Sequence, residues 1–85
     1  MDEPREAIRQ LVRQILERND DIRGFTDTDS LIFSGRFQSL DVLEVALFIE
    51  SHFGLDLTEV FDQSRLDSVD EIMNLLRSAR PSVDG

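Results

Sequence analysis

The chain has 85 residues, enough for one domain with a single modest core. It carries nine arginines, no lysine and eighteen acids, for a net charge of −9. It has no cysteine, which excludes disulfides, thiolate chemistry and cysteine-ligated zinc.

The charge is unevenly spread. Met1 to Arg23 holds six acids and five arginines, whereas Asp27 to Glu71 holds eleven acids against only Arg36 and Arg65. A field of that sign repels nucleic-acid phosphates and anionic membranes and draws basic partners inward, although solubility alone also accounts for it. The start, MDEPREAIRQ, lacks the apolar core of a signal peptide, and the longest strongly apolar run, VALFI, is too short to span a bilayer. These features predict a soluble, cytoplasmic, monomeric protein forming one domain over 1–85, with a frayed tail over 81–85.

A first helix is expected from Pro4, with Ile8, Leu11, Val12, Ile15 and Leu16 as its apolar face and Asn19 at its end. Residues 20 to 38 then form a long connection. Ile22, Phe25, Leu31 and Phe33 are spaced to pin it onto a core, which predicts an ordered loop with short turns. Its DTDSLIFSGRFQ segment is not a calcium loop, because Ile32 stands where glycine is needed and Gln38 where glutamate is needed.

The second helix is expected from Ser39 or Leu40 to Phe53, with Gly54 closing it. Two apolar stripes run along it. At about 100° per residue, Val42, Val45, Ala46, Ile49 and Phe53 fall in one arc suited to a core. Leu40, Leu43 and Leu47 cluster on the far side, beside Glu44 and Ser51, so this helix presents a second face to something else.

TEVFD is expected to form a short third helix with Thr58 as its cap. SVDE then reads as a capping box, Ser68 with Glu71, starting a last helix whose apolar face is Val69, Ile72, Met73, Leu75 and Leu76. That helix should stop before Pro81, with Arg77 and Arg80 complementing its dipole. The predicted fold is all-α: a small four-helix bundle with three principal helices, a short third one, and the long loop between the first two.

Catalytic constellations are absent from the sequence. The sole histidine, His52, complements the dipole at the end of the second helix, and it lies thirteen residues from Ser39. That is roughly 20 Å along the axis, too far for a nucleophile–base pair. No clustered His and Cys announce a metal site. The chain is therefore not expected to be an enzyme. Ser39 stands out by position instead: a serine at a helix start is commonly a cap, but free N–H groups there also favour an attached phosphate.

SGRFQSLDVLEVALFIESHFG resembles the modification segment of acyl carrier proteins, which runs G-x-D-S-L into an amphipathic acidic helix ending in Phe. The resemblance covers most of the chain, through Leu31 in the long loop to SVDEIMNLL in the last helix. It implies that Ser39 receives 4′-phosphopantetheine from a phosphopantetheinyl transferase. The arm then carries acyl groups as thioesters for fatty acid, polyketide or related lipid biosynthesis. It also implies that Leu40, Asp41, Glu44, Leu47 and Ser51 face partner enzymes: loading ligases or synthases and acyltransferases with basic docking patches. FSGRFQSL, FIESHFG and FDQSRLDSVDEI also resemble stand-alone carriers of the D-alanyl type, so an aminoacyl or peptidyl carrier serving an adenylating ligase stays open. One departure from the family is Gln38, which replaces the Asp that helps engage the transferase. It leaves open an unmodified acidic adaptor in which Ser39 is only a helix cap.

Overall fold

The computed structural model describes residues 3–57 and 62–78. Three α-helices, α1 (Glu3–Arg18), α2 (Ser39–Phe53) and α3 (Val69–Ser78), are joined by a 3-10 helix over Gln63–Leu66. α3 packs on α1 and on the 3-10 helix, which also meets α2. Among the described residues there is no strand, and no helix is long and apolar enough to cross a membrane. The fold is a small helical bundle.

The periodicity of the three helices translates directly into burial. Ile8, Leu11, Val12, Ile15 and Leu16 of α1 are all buried, as are Val42, Val45, Ala46 and Ile49 of α2 and Val69, Ile72, Met73 and Leu75 of α3. Phe53 and Leu76 pack against this core while partly exposed. α3 starts with half of the expected capping box: Ser68 Oγ accepts the Glu71 N–H at 3.1 Å, but the Glu71 carboxylate does not return to the Ser68 N–H. Apart from Asp62, the short helix expected over TEVFD lies outside the described residues, as do Thr58, Arg80, Pro81 and the expected frayed tail. The 3-10 helix that follows was not anticipated. Asp62 caps it by accepting the Ser64 N–H at 3.0 Å, and it buries Leu66.

The connection between α1 and α2 corrects two of its four expected anchors. Leu31 is fully buried and Phe25 partly so, but Ile22 is 93% exposed and Phe33 67% exposed. Phe37 is the second buried residue. The reason is that polar groups, more than apolar ones, direct this backbone. The Asp67 carboxylate accepts from Ser30 Oγ at 2.9 Å, Ile32 N at 2.8 Å and Phe33 N at 3.0 Å, while its carbonyl takes the Leu31 N–H at 2.7 Å. The Phe37 N–H returns to the Leu31 carbonyl at 2.8 Å, so Leu31 and Phe37 turn inward together and Phe33 is left outside on the intervening turn. Further back, Asp27 accepts from both Arg5 and Arg9 of α1 at 2.7–2.9 Å.

α1 ends in a Schellman turn. The Asp21 N–H reaches the Leu16 carbonyl at 2.8 Å and the Asp20 N–H reaches Glu17 at 3.0 Å, with Asp20 at φ 63°. A left-handed backbone disfavours a residue with a Cβ, and an acid at a helix C-terminus opposes the dipole. Asp20→Gly is therefore expected to stabilise the protein by about 0.5–1 kcal/mol, seen as a thermal midpoint a few degrees higher. An unchanged or lower midpoint would mean that the turn is not under strain.

Candidate functional site

The start of α2 is held by one buried carboxylate. Asp41 is 4% exposed, and its Oδ2 accepts the Gln38 N–H at 2.9 Å and the Asn19 side-chain amide at 2.8 Å. Its Oδ1 accepts from Arg18 at 2.6 Å. The residues that reach it therefore come from the Schellman turn of α1 and from the residue that begins α2. Burial opposes ionisation of Asp41, but these three donors outweigh it and hold its pKa below the ordinary carboxylate value. This corrects the expectation that Asp41 faces a partner: its side chain is turned inward and fully engaged within the chain.

Gln38, not Ser39, is the N-cap, with extended backbone at φ −94° and ψ 171°. Its carbonyl accepts the Asp41 and Val42 N–H groups at 2.9 and 3.1 Å. Ser39 is the first helical residue. It is exposed, and its hydroxyl makes no hydrogen bond to any of the described residues. The Ser39 hydroxyl is thus not a cap, which corrects the simplest structural explanation for a serine at this point.

Downstream of Ser39 the outward face is as the helical wheel predicts. Leu40 is 77% exposed, Leu43 52% and Leu47 55%, and Ser51 is exposed on the same side. Glu44 lies among them, but its carboxylate meets Arg18 at 2.8 Å, so one guanidinium bridges Glu44 and Asp41. Glu50 accepts the Leu57 N–H at 2.9 Å. His52 stacks on Phe48 with ring centroids 4.8 Å apart, in the last turn of α2. It stands at the opposite end of the helix from Ser39, so the two form no nucleophile–base pair. Among the described residues there is no group of three His, Asp or Glu side chains able to hold a metal ion.

The structure therefore places Leu40, Glu44, Leu47 and Ser51 on the outward side of α2, with the exposed Ser39 at its first residue, and removes Asp41 from that side. Sequence reading placed Asn19 only as the end of the first helix and did not single out Arg18, so the contact of both with Asp41 was missed. The only local signal was an acid three residues after Gln38, in the spacing of a capping box, and Gln38 is not among the residues that normally announce one.

Asp41 makes stability depend on pH in a defined direction. Its native pKa lies below an unfolded value of about 3.9, so its contribution is complete above that pH and is lost as pH falls through the native value. Asp41→Asn is expected to cost about 1.5–3 kcal/mol near pH 7, because it removes the charge from three hydrogen bonds. Below about pH 4 the variant should lose less further stability than the wild type does. Asp21, held low by Arg23 and Arg36, Asp27, held low by Arg9 and Arg5, Asp29, held low by Thr26, and Asp62, held low by Ser64, contribute to the acid sensitivity that remains. Urea unfolding at neutral and acidic pH measures both effects, and parallel pH profiles for the two proteins would refute this role for Asp41. No protein-family model, curated protein or solved structure matches the chain, so the chemistry of the site rests on its own residues.

Proposed function

We propose that this chain is an acyl carrier protein that holds 4′-phosphopantetheine on the Ser39 hydroxyl and presents acyl groups to partner enzymes. One observation supports this above the rest. Ser39 is exposed and without a hydrogen-bond partner among the described residues, at the head of a helix whose outward face continues as an apolar stripe. A hydroxyl in that position is open to an incoming transferase. The first N–H groups of α2, at Ser39 and Leu40, have no carbonyl partner one turn earlier and suit a phosphodiester anion. The group would bring a terminal thiol able to hold acyl chains as thioesters, a function that a cysteine-free chain cannot otherwise supply. Asp41, Asn19 and Arg18 act as positioning residues, since they hold the first turn of α2 against the end of α1.

Within this reading the cargo is an acyl group of fatty acid, polyketide or related lipid synthesis. An amino acid loaded by an adenylating ligase is the alternative that the same site accommodates. The unmodified adaptor is favoured by a different observation, the neutral Gln38 at the N-cap where the carrier family has an acid.

Intact-mass measurement after co-expression with a phosphopantetheinyl transferase separates these readings. The wild type is expected to gain the mass of one phosphopantetheine, and Ser39→Ala to gain none while melting like the wild type. Modification of the Ser39→Ala variant would move the site elsewhere, and an unmodified wild type across several transferases would favour the adaptor. Under the carrier reading, Gln38→Asp is also expected to raise the modification rate with a transferase that presents a basic docking patch. Equal rates for the two proteins would make the substitution at that position irrelevant to recognition.

A further inference from the structure

Ser39 stands between two anchors that hold the same stretch of chain at the end of α1. On its C-terminal side, Asp41 accepts from Arg18 and Asn19. On its N-terminal side, Arg36 turns back over the residues that follow α1. Its Nε donates to Asp21 at 2.8 Å, and its Nη2 donates to Asp21 at 3.3 Å and to the Arg23 and Gly24 carbonyls at 3.1 Å each. The Asn19 side-chain amide, which donates to Asp41 at 2.8 Å, also reaches the Arg36 carbonyl at 3.5 Å, so one residue touches both anchors. The Arg36 side chain is 10% exposed and that of Asp21 9%. A charged side chain is seldom covered to that degree unless its hydrogen-bonding groups are filled.

What Arg36 fixes is the chain ahead of α2 and not the helix itself. The first turn of α2 is held by Asp41 and by the Gln38 carbonyl. Phe33, Ser34 and Gly35 are exposed, and Gly35 sits at φ 86°, in the left-handed region that glycine enters without penalty. Arg36 is where the chain is caught again after that turn, just ahead of the buried Phe37 and of Gln38. We propose that Arg36 is a positioning residue for the modification of Ser39, its guanidinium fork holding residues 36–38 in the conformation that the transferase receives. This rests on the carrier reading and adds to it a residue outside the modified helix. The consequence is kinetic. A segment that is ordered only a fraction of the time weakens apparent binding by that fraction, whereas the bound molecule reacts as before. Loss of the fork therefore raises KM for the carrier and leaves kcat unchanged. Lysine does not replace it, because one ammonium cannot reproduce a planar fork shared between a carboxylate and two carbonyls.

The test measures phosphopantetheine transfer from coenzyme A to the wild type, Arg36→Gln, Arg36→Lys and Ile72→Val, each well below its thermal midpoint. Ile72→Val is the control, since it loosens the buried core of α3 without touching the fork. Each Arg36 variant is expected to raise KM for the carrier by about fivefold or more at unchanged kcat. Each should also speed hydrogen exchange at the Phe37 and Gln38 amides, whereas Ile72→Val changes neither quantity. A KM within about twofold of the wild type for either Arg36 variant overturns the proposal and leaves the carrier reading intact. Unchanged exchange at those two amides overturns it as well, and so does a loss confined to kcat. An equal rise in KM for Ile72→Val overturns it by making the effect one of stability alone. Should the Arg36 variants fail to fold, Asp21→Asn leaves the guanidinium its two carbonyls and is expected to raise KM in the same way. An unchanged KM in that variant then overturns the proposal. If the wild type accepts no phosphopantetheine from any transferase, the carrier reading fails and the proposal falls with it.

Discussion

The placement of Ser39 depends on a carboxylate that is out of sight of solvent. Moving a charged carboxylate to a site that is 4% exposed is costly unless its lone pairs are filled. At Asp41 they are filled by a guanidinium, a side-chain amide and a backbone N–H from three residues of two different segments. Each donor is available only because something else is in place. Asn19 is presented by the Schellman turn, which needs Asp20 in the left-handed region, and the Gln38 N–H is presented by the extended backbone that precedes α2. Asp41 thereby ties the end of α1 to the first turn of α2, at whose first residue Ser39 stands exposed.

The same logic runs through the acidic half of the chain. Its carboxylates are architectural more often than they are surface charge. Asp27 gathers Arg5 and Arg9, Asp67 collects two loop amides and a hydroxyl, Asp62 caps the 3-10 helix and Asp70 meets Arg5. Hydrogen bonds to ionised acceptors are stronger than neutral ones, which suits a small domain whose long connection has few apolar anchors. The consequence for recognition is that formal charge and contact charge differ. A count of acids near α2 suggests an acidic docking helix, whereas the face left outside is made mostly of leucine.

These two constraints give the proposed carrier role its physical content. A modification site needs an accessible nucleophile at a rigid position, and an adjacent surface that partners can find repeatedly without binding it permanently. Ser39 at the first residue of α2 meets the first need because the helix start is locked from behind. A narrow leucine stripe meets the second, since it is large enough to set register and too small to hold a partner tightly.

How much of this was legible in the sequence differs by the kind of interaction. The faces of α1, α2 and α3 were readable because helical burial repeats every three to four residues, and the core of each helix matched that period except at Phe53 and Leu76, which are only partly buried. The exposed Leu40, Leu43 and Leu47 were readable for the same reason, as the complement of the core arc. The long connection was readable only in part: Leu31 and Phe25 turned inward, but Ile22 and Phe33 did not. Irregular backbone has no period, and its direction was decided by Asp67 and by Asp21, which pairs with Arg36 at 2.8 Å, through partners distant in sequence. The inward turn of Asp41, its use of Arg18 and Asn19, and the shift of the cap from Ser39 to Gln38 belonged to tertiary structure alone. Each required two segments more than twenty residues apart to meet, or a backbone dihedral set by that meeting. Local periodicity determined which residues the helices bury, and long-range hydrogen bonding decided where the helix carrying Ser39 begins and which of its charges remain free.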